Sequence, residues 1–284
     1  MPSFDFHQVD VFTTRPLRGN ALAVVRGAEA WSVDDMAALA RWTQLSETTF
    51  LLPPTQAEAD YRVRIFTPDR ELPFAGHPTL GSCHVWLGTG GRPRRSRIMQ
   101  ECPAGLIPIR PQAGGRLAFR APPRVRSGPV EPELLGRIAH GLGVPLRALV
   151  AAEWVDNGPG WLGLMLASRA ELLALRPDFA QLAGLQLGLI APWSAAERGD
   201  DEAAPLFEVR AFMSMGGAHE DPVTGSLNAS LAQWLTGAGL APSRYLVSQG
   251  TVLGREGRVH IERDGEEVWV GGHTCDCVQG RLSL

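Results

Sequence analysis

The sequence predicts an α+β protein built from two pseudo-symmetric halves, and three observations predict it. Apolar and polar residues alternate in many short runs, the pattern of half-buried strands, with few helical stretches between them. Two of those helical stretches, GHPTLGSCHVWLGTGG (76–91) and DPVTGSLNASLAQWLTGAGL (221–240), open at a glycine-containing turn and end in a glycine-rich stop. The order of parts also repeats. YRVRIF (61–66) and FEVRAF (207–212) share Val-Arg-x-Phe, GHPT and VTGS follow them, and the pairs Trp86-Leu87 and Trp234-Leu235 come next. A strand, a glycine turn and a helix recurring in that order read as an internal repeat.

Taken in order, the chain opens with Phe4, Phe6, Val9 and Val11 alternating with polar residues, which reads as a first strand. The opening has neither the basic nor the apolar region of a secretion leader. Further strands are expected at ALAVV (21–25), TTFLLP (48–53), RLAFRA (116–121), LGLML (162–166), GRVHIE (257–262) and EVWVGG (267–272). Ser32 stands three residues before Asp35, close to a capping box, so a helix is expected over 33–42. Ser168 and Glu171 do the same for a helix over 169–176, which stops before Pro177. The Pro- and Arg-rich stretch RAPPRVRSGPVEPE (120–133) reads as the linker. It divides the chain into halves 1–124 and 125–284, the last strand being free to return to the first half.

Composition narrows the function. With 44% hydrophobic and 20% charged residues the 284-residue chain is of globular type, and its net charge of −3 gives no footprint for nucleic acid or an anionic membrane. No run of about 18 apolar residues is present to span a bilayer. Four cysteines, Cys83, Cys102, Cys275 and Cys277, are expected as reduced thiols in the cytoplasm. All 27 basic residues are arginine. Without lysine there is no Schiff base for pyridoxal phosphate and no P-loop lysine for a nucleotide, and no GxGxxG run follows a strand. No cofactor is expected.

The candidate site residues gather at the two helix starts. The first turn of a helix leaves backbone N–H groups without partners and carries partial positive charge. Gly76 and Gly225 would let a ligand approach that backbone closely, His77 and Thr79 mark one mouth, and Asp221, Thr224 and Ser226 the other. If a pseudo-twofold axis relates the halves, the two mouths can face one cleft suited to a small carboxylate-bearing molecule. Glu47, at the edge of an apolar strand, is a candidate general base whose pKa burial would raise. The same residues also have purely structural roles open to them: Asp221 as a cap, Ser226 bonding backbone in the first turn, Glu47 solvated. His273, Cys275 and Cys277 alternate along one strand within ligand range of a metal, but no fourth ligand accompanies them and none is expected to bind. Ser226 has no GxSxG elbow of a serine hydrolase.

Five stretches, QVDVFTTRPLRGNALAVV (8–25), LSETTFL (45–51), FTPDRELPFAGHPTLGSCHVWL (66–87), HEDPVTGSLNASLAQWL (219–235) and SQGTVLGREGRVHIE (248–262), resemble the phenazine-biosynthesis (PhzF-like) isomerase family of the diaminopimelate-epimerase superfamily. The resemblance implies that each half is a curled, mostly antiparallel sheet around a central helix. It implies an isomerase that works without cofactor, usually as a homodimer, on a small carboxylate-bearing metabolite such as trans-2,3-dihydro-3-hydroxyanthranilate. Carried across, the acid/base glutamate falls on Glu47, the site histidine on His77, the aspartate on Asp221 and the serine on Ser226. Gly19-Asn20 falls on a turn that helps bind substrate. Epimerases of the superfamily place a cysteine at each helix mouth, since inverting a stereocentre takes a base on one face and an acid on the other. Here Ala75 and Pro222 are matched to those positions. One carboxylate that moves a proton between two carbons is therefore the expected chemistry. The alternatives are a metabolite-binding protein without turnover and an epimerase or racemase of the superfamily.

Overall fold

A computed structural model describes residues 2–201, 203–214 and 219–284. By its internal contacts the chain forms two units. Unit 1 comprises residues 1–120 and 271–284, and unit 2 comprises residues 121–270.

Unit 1 runs β1 (Ser3–Val11), β2 (Asn20–Arg26), α1 (Val33–Thr43), β3 (Glu47–Leu52), β4 (Tyr61–Phe66), β5 (Glu71–Leu72), α2 (Gly76–Gly88), β6 (Ile98–Cys102), β7 (Gly105–Pro111) and β8 (Leu117–Arg120). Unit 2 runs β9 (Arg126–Gly128), α3 (Pro132–Leu142), β10 (Leu149–Asp156), β11 (Trp161–Leu166), α4 (Arg169–Ala174), β12 (Gln186–Pro192) and α5 (Ala195–Arg198). It continues through β13 (Phe207–Met213), β14 (His219–Asp221), α6 (Gly225–Gly237), β15 (Arg244–Gln249), β16 (Gly257–Asp264) and β17 (Glu267–Gly272). β18 (Thr274–Ser283) then returns to unit 1 and lies antiparallel along β1.

The repeat is one of topology as well as of sequence. In unit 1, β1/β2 is antiparallel, β2/β3 parallel, β3/β4 and β4/β5 antiparallel, β4/β6 parallel and β6/β7 antiparallel. Unit 2 follows the same series through β10/β11, β11/β12, β12/β13, β13/β14, β13/β15 and β15/β16. Each sheet is mostly antiparallel. The two parallel steps in each occur where a helix makes the crossover, as parallel neighbours require.

Each sheet has a central helix on one face and outer helices on the other. α2 packs against β1, β2, β3, β4 and β8, and nearly all its residues from Gly76 to Val85 are buried. α6 is buried in the same way against β10, β11 and β16. Because both helices are enclosed, their polar side chains Thr79, Ser82, Asn228 and Ser230 are buried and hydrogen-bonded. The outer face of sheet 1 carries α1, whose Met36, Leu39 and Ala40 meet Val25, Phe50, Leu52 and Phe66. In unit 2, Ile138 and Leu142 of α3 and Leu172 of α4 pack with Leu187, Leu189 and Ala191. Strand alternation does the sorting: Phe50 and Leu52 face outward, while Thr49 turns in and its Oγ1 accepts from Ser82 of α2 at 2.9 Å.

The capping box of α1 forms as expected, with Ser32 and Asp35 bonding each other's backbone N–H. The proline-rich segment 120–133 is a different matter. It contains β9, paired with β10, and the first residues of α3, where Pro132 sits in the first turn. Proline there loses no hydrogen bond, so it opens a helix instead of breaking one. Among the described residues no helix is long and apolar enough to cross a membrane.

Central-helix packing is tight enough to test. A Cβ on Gly188 of β12 would lie 2.1 Å from Leu227 of α6, whereas one on Gly237, at the exposed end of α6, would meet nothing within 4 Å. Gly188→Ala is expected to lower unfolding free energy in urea by about 1–3 kcal/mol through overpacking. Gly237→Ala should raise it by about 0.5 kcal/mol through backbone entropy. Equal effects of the two would refute the packing constraint.

Candidate active site

The first mouth assembles around His77, in the opening turn of α2. Its side chain is nearly sealed from solvent (5% exposed), and Nε2 lies 3.2 Å from Oε2 of Glu47. Glu47 is the first residue of β3, and alternation from Thr49 directs it to the α2 face. The two side chains are thus in direct contact. On the opposite edge of the ring, Nδ1 lies 3.3 Å from Asn20 Nδ2. Burial pushes the imidazole pKa down to about 3, and a hydrogen bond to the Ala21 backbone only partly opposes this. His77 is therefore neutral at ordinary pH and puts no positive charge beside Glu47.

Gly19 ends the loop before β2, which opens at Asn20, and the loop is held by Asp10 of β1. Asp10, 2% exposed, accepts from the Arg18 N–H at 2.8 Å and the Gly19 N–H at 2.9 Å. A Cβ on Gly19 would stand 2.1 Å from the Val11 carbonyl oxygen, so only glycine lets the chain fold back here. Thr79 is fully buried, and its hydroxyl donates to Ala75 O at 2.9 Å and accepts from Gln100 Nε2 at 3.0 Å. It ties the first helical turn together. Gly76 is buried at the start of the same helix.

The second mouth is a hydrogen-bonded cluster at the start of α6. Thr224 donates from Oγ1 to the Asp221 carboxylate and orients it. Gln249 of β15, fully buried, accepts from Thr224 N at 3.1 Å and from Asn228 Nδ2 at 2.8 Å. Its own amide donates to Thr224 Oγ1 at 3.0 Å and to the Asp221 carbonyl at 3.2 Å. Gly225 is buried in the first turn. Ser226 Oγ accepts from the Trp161 indole N–H at 3.1 Å, and the Ser226 carbonyl accepts from Asn157 Nδ2 at 2.9 Å. Asn157 and Trp161 are the ends of NGPGW (157–161), the tight turn between β10 and β11. Gln249, Asn157 and Trp161 reach the mouth from other elements, while Asn228 lies in the first turn of α6 itself.

The residues directly before the helix glycines are Ala75 and Thr224, the N-caps of α2 and α6. The position matched to Ala75 is therefore Thr224, not Pro222. Neither is a cysteine. Cys83 lies further along α2, fully buried, with its thiol pushed up to about 12 by desolvation. His273, Cys275 and Cys277 do not form a metal cage. Cys275 donates from Sγ to Thr13 O at 3.1 Å, and no group of three or more His, Cys, Asp or Glu placed to hold a metal occurs among the described residues.

The repeated sheet-and-helix frame is a diaminopimelate-epimerase-like fold, and relatives named as isomerases and epimerases make the chain an isomerase by class. The chain belongs to the phenazine biosynthesis-like (PhzF) family, whose model matches residues 9–280. It is 32% identical to trans-2,3-dihydro-3-hydroxyanthranilate isomerase of Pseudomonas aeruginosa, over 97% of this chain and 98% of that one. It is likewise 32% identical to antisense-enhancing sequence 1 of Schizosaccharomyces pombe, over 99% of each chain. Among solved structures, a PhzF-family protein of Bacillus anthracis superposes with a TM-score of 0.80 at 20% identity, covering all of both chains. A predicted epimerase of Pseudomonas aeruginosa superposes with a TM-score of 0.77 at 26% identity, over 98% of this chain and 99% of that one.

The depressed pKa of His77 carries a sign that can be checked. An unfolded histidine takes up its proton near pH 6.5, and folded His77 only near 3. Stability from this group is thus fully present above about pH 6.5 and is lost as pH falls toward 3. His77→Asn should flatten the fall of unfolding free energy across that window. An unchanged slope would contradict the neutral, buried imidazole.

Proposed function

We propose that the protein is a cofactor-independent isomerase that moves a proton between two carbons of a small, unsaturated, carboxylate-bearing metabolite. Glu47 is its acid/base, and trans-2,3-dihydro-3-hydroxyanthranilate is the first substrate to test. The observation that supports this best is the Glu47–His77 contact at 3.2 Å with the imidazole held neutral. A carboxylate without a cationic imidazole beside it can take a proton from carbon and return it to another position. Neutral His77, oriented by Asn20 at one ring nitrogen, gives or accepts a hydrogen bond without competing for the proton.

The other roles follow from the geometry at each mouth. The backbone N–H groups at Gly76 of α2, and those at Gly225 of α6, each suit an anionic oxygen, since negative charge is favoured at a helix start. Asp221, fixed by Thr224, and Ser226, fixed by Trp161, suit the polar groups of a ligand at the second mouth. Thr79 acts through the helix turn it closes and is not assigned a ligand contact. Removal of the proton leaves a delocalised anion, which backbone N–H donors at a helix start stabilise. The same reading includes a homodimer in the cytoplasm, as the family resemblance implies. Two-base epimerisation is disfavoured, because Ala75 and Thr224 offer no thiols at the helix starts.

The test is NMR in D₂O with trans-2,3-dihydro-3-hydroxyanthranilate. Wild type should isomerise it with deuterium entering at carbon. Glu47→Gln should lose at least about 10²-fold in rate while keeping its fold. Near-normal turnover by the variant would remove Glu47 from the mechanism, and binding without exchange by wild type would make this a binding protein.

A further inference from the structure

The shared topology gives residues of the first mouth register counterparts in the second. Ile65 of β4 faces Thr49 of β3, and Ala211 of β13 faces Gly188 of β12. Two residues back along each strand stand Glu47 and Gln186. Each is the first residue of its strand, and each has a neighbour on the preceding strand in parallel register, Leu22 and Trp161. Where unit 1 has the carboxylate, unit 2 has a neutral amide.

Gln186 points to the start of α6. Residues i and i+2 of a strand share a face, and Gly188 shows which: its Cβ would meet Leu227 of α6 at 2.1 Å. Trp161, beside Gln186 on the parallel neighbour, donates its indole N–H to Ser226 Oγ. Gln186 is 3% exposed, and its Oε1 is buried with no hydrogen-bond partner among the described residues. Asn157, whose Nδ2 is spent on the Ser226 carbonyl, also keeps a buried Oδ1 without a hydrogen-bond partner among the described residues. Buried acceptors without donors are costly to the folded protein and are uncommon.

We propose that Gln186 is a specificity-determining residue of the second mouth, its Oε1 accepting, together with Asn157 Oδ1, hydrogen bonds from an amino group of the ligand. Two acceptors suit an amino group, which has at least two N–H donors, better than a hydroxyl, which has one. An amide accepts a hydrogen bond but does not take the proton, so this mouth recognises an amino group without reacting with it. The preferred substrates are then amino-bearing carboxylates over their deamino analogues. The inference rests on the reading of the helix mouths as the substrate site.

Isothermal titration of the full chain with anthranilate and with benzoate, which differ by one amino group, tests it. Wild type should bind anthranilate at least about tenfold more tightly. Gln186→Met, similar in length but without the acceptor, should cut that ratio at least about fivefold and leave benzoate affinity within about twofold. Gln186→Glu, which keeps an acceptor, should retain the preference, and thermal melting reports whether each variant is folded. Equal binding of the two probes by wild type, no binding of either, or an unchanged ratio in folded Gln186→Met overturns the assignment. If Gln186→Met does not fold, the wild-type ratio and Gln186→Glu decide. Isomerisation and deuterium exchange by wild type are judged separately, so an active enzyme indifferent to the amino group would defeat this inference alone.

Discussion

The enclosure of one apolar helix by each curled sheet is the constraint on which the rest of the structure depends. α2 and α6 have almost no surface left to water, so their positions are set by contact on every side. Glycines set how close that contact is: Gly81 brings α2 onto Val9, Val11 and Leu22, while Gly163 and Gly188 bring the strands of unit 2 onto α6. A helix fixed along its length has a fixed first turn. The N–H groups there, and the side chains of His77 and Ser226, are therefore held in place by the packing of the helix.

A second device is repeated just ahead of each helix. Arg64 grips Glu71 with two parallel bonds of 2.8 and 2.6 Å, joining β4 to β5, and its guanidinium lies over Phe66. Arg210 grips Glu220 at 2.9 and 2.7 Å, joining β13 to β14, and lies over Phe212. Such forks are more rigid than single ion pairs. They anchor the short strands from which the chain enters the two mouths. The scaffold has thus been kept in both halves while the chemistry at the mouths has parted: Glu47 answers to Gln186, His77 to Ser226, Ala75 to Thr224 and Leu72 to Asp221.

The parts legible in the sequence were those governed by local pattern. YRVRIF and EVWVGG are β4 and β17 to the residue, and the glycine turns mark both buried helices. Glu47 stood out because it precedes an apolar strand, yet its meeting with His77 is a tertiary fact. Thr79 looked ligand-facing by spacing alone. Its hydroxyl instead bonds the carbonyl four residues back, as threonine in a helix can. α3 was hidden because prolines that read as punctuation include one that starts a helix. Asp10, Gln100 and Gln249 carried no signal, since a single polar residue on a strand declares its partner only when distant elements come together.

The pairing of β18 with β1 bears on how the chain is made. Unit 2 is continuous in sequence, whereas unit 1 is split around it, its first strand pairing with residues 274–283. On the ribosome, β1 waits without that neighbour until all of unit 2 has been synthesised. Unit 2 can close as soon as its own residues emerge, so the half that carries Glu47 and His77 is completed second, with a strand edge exposed in the interval.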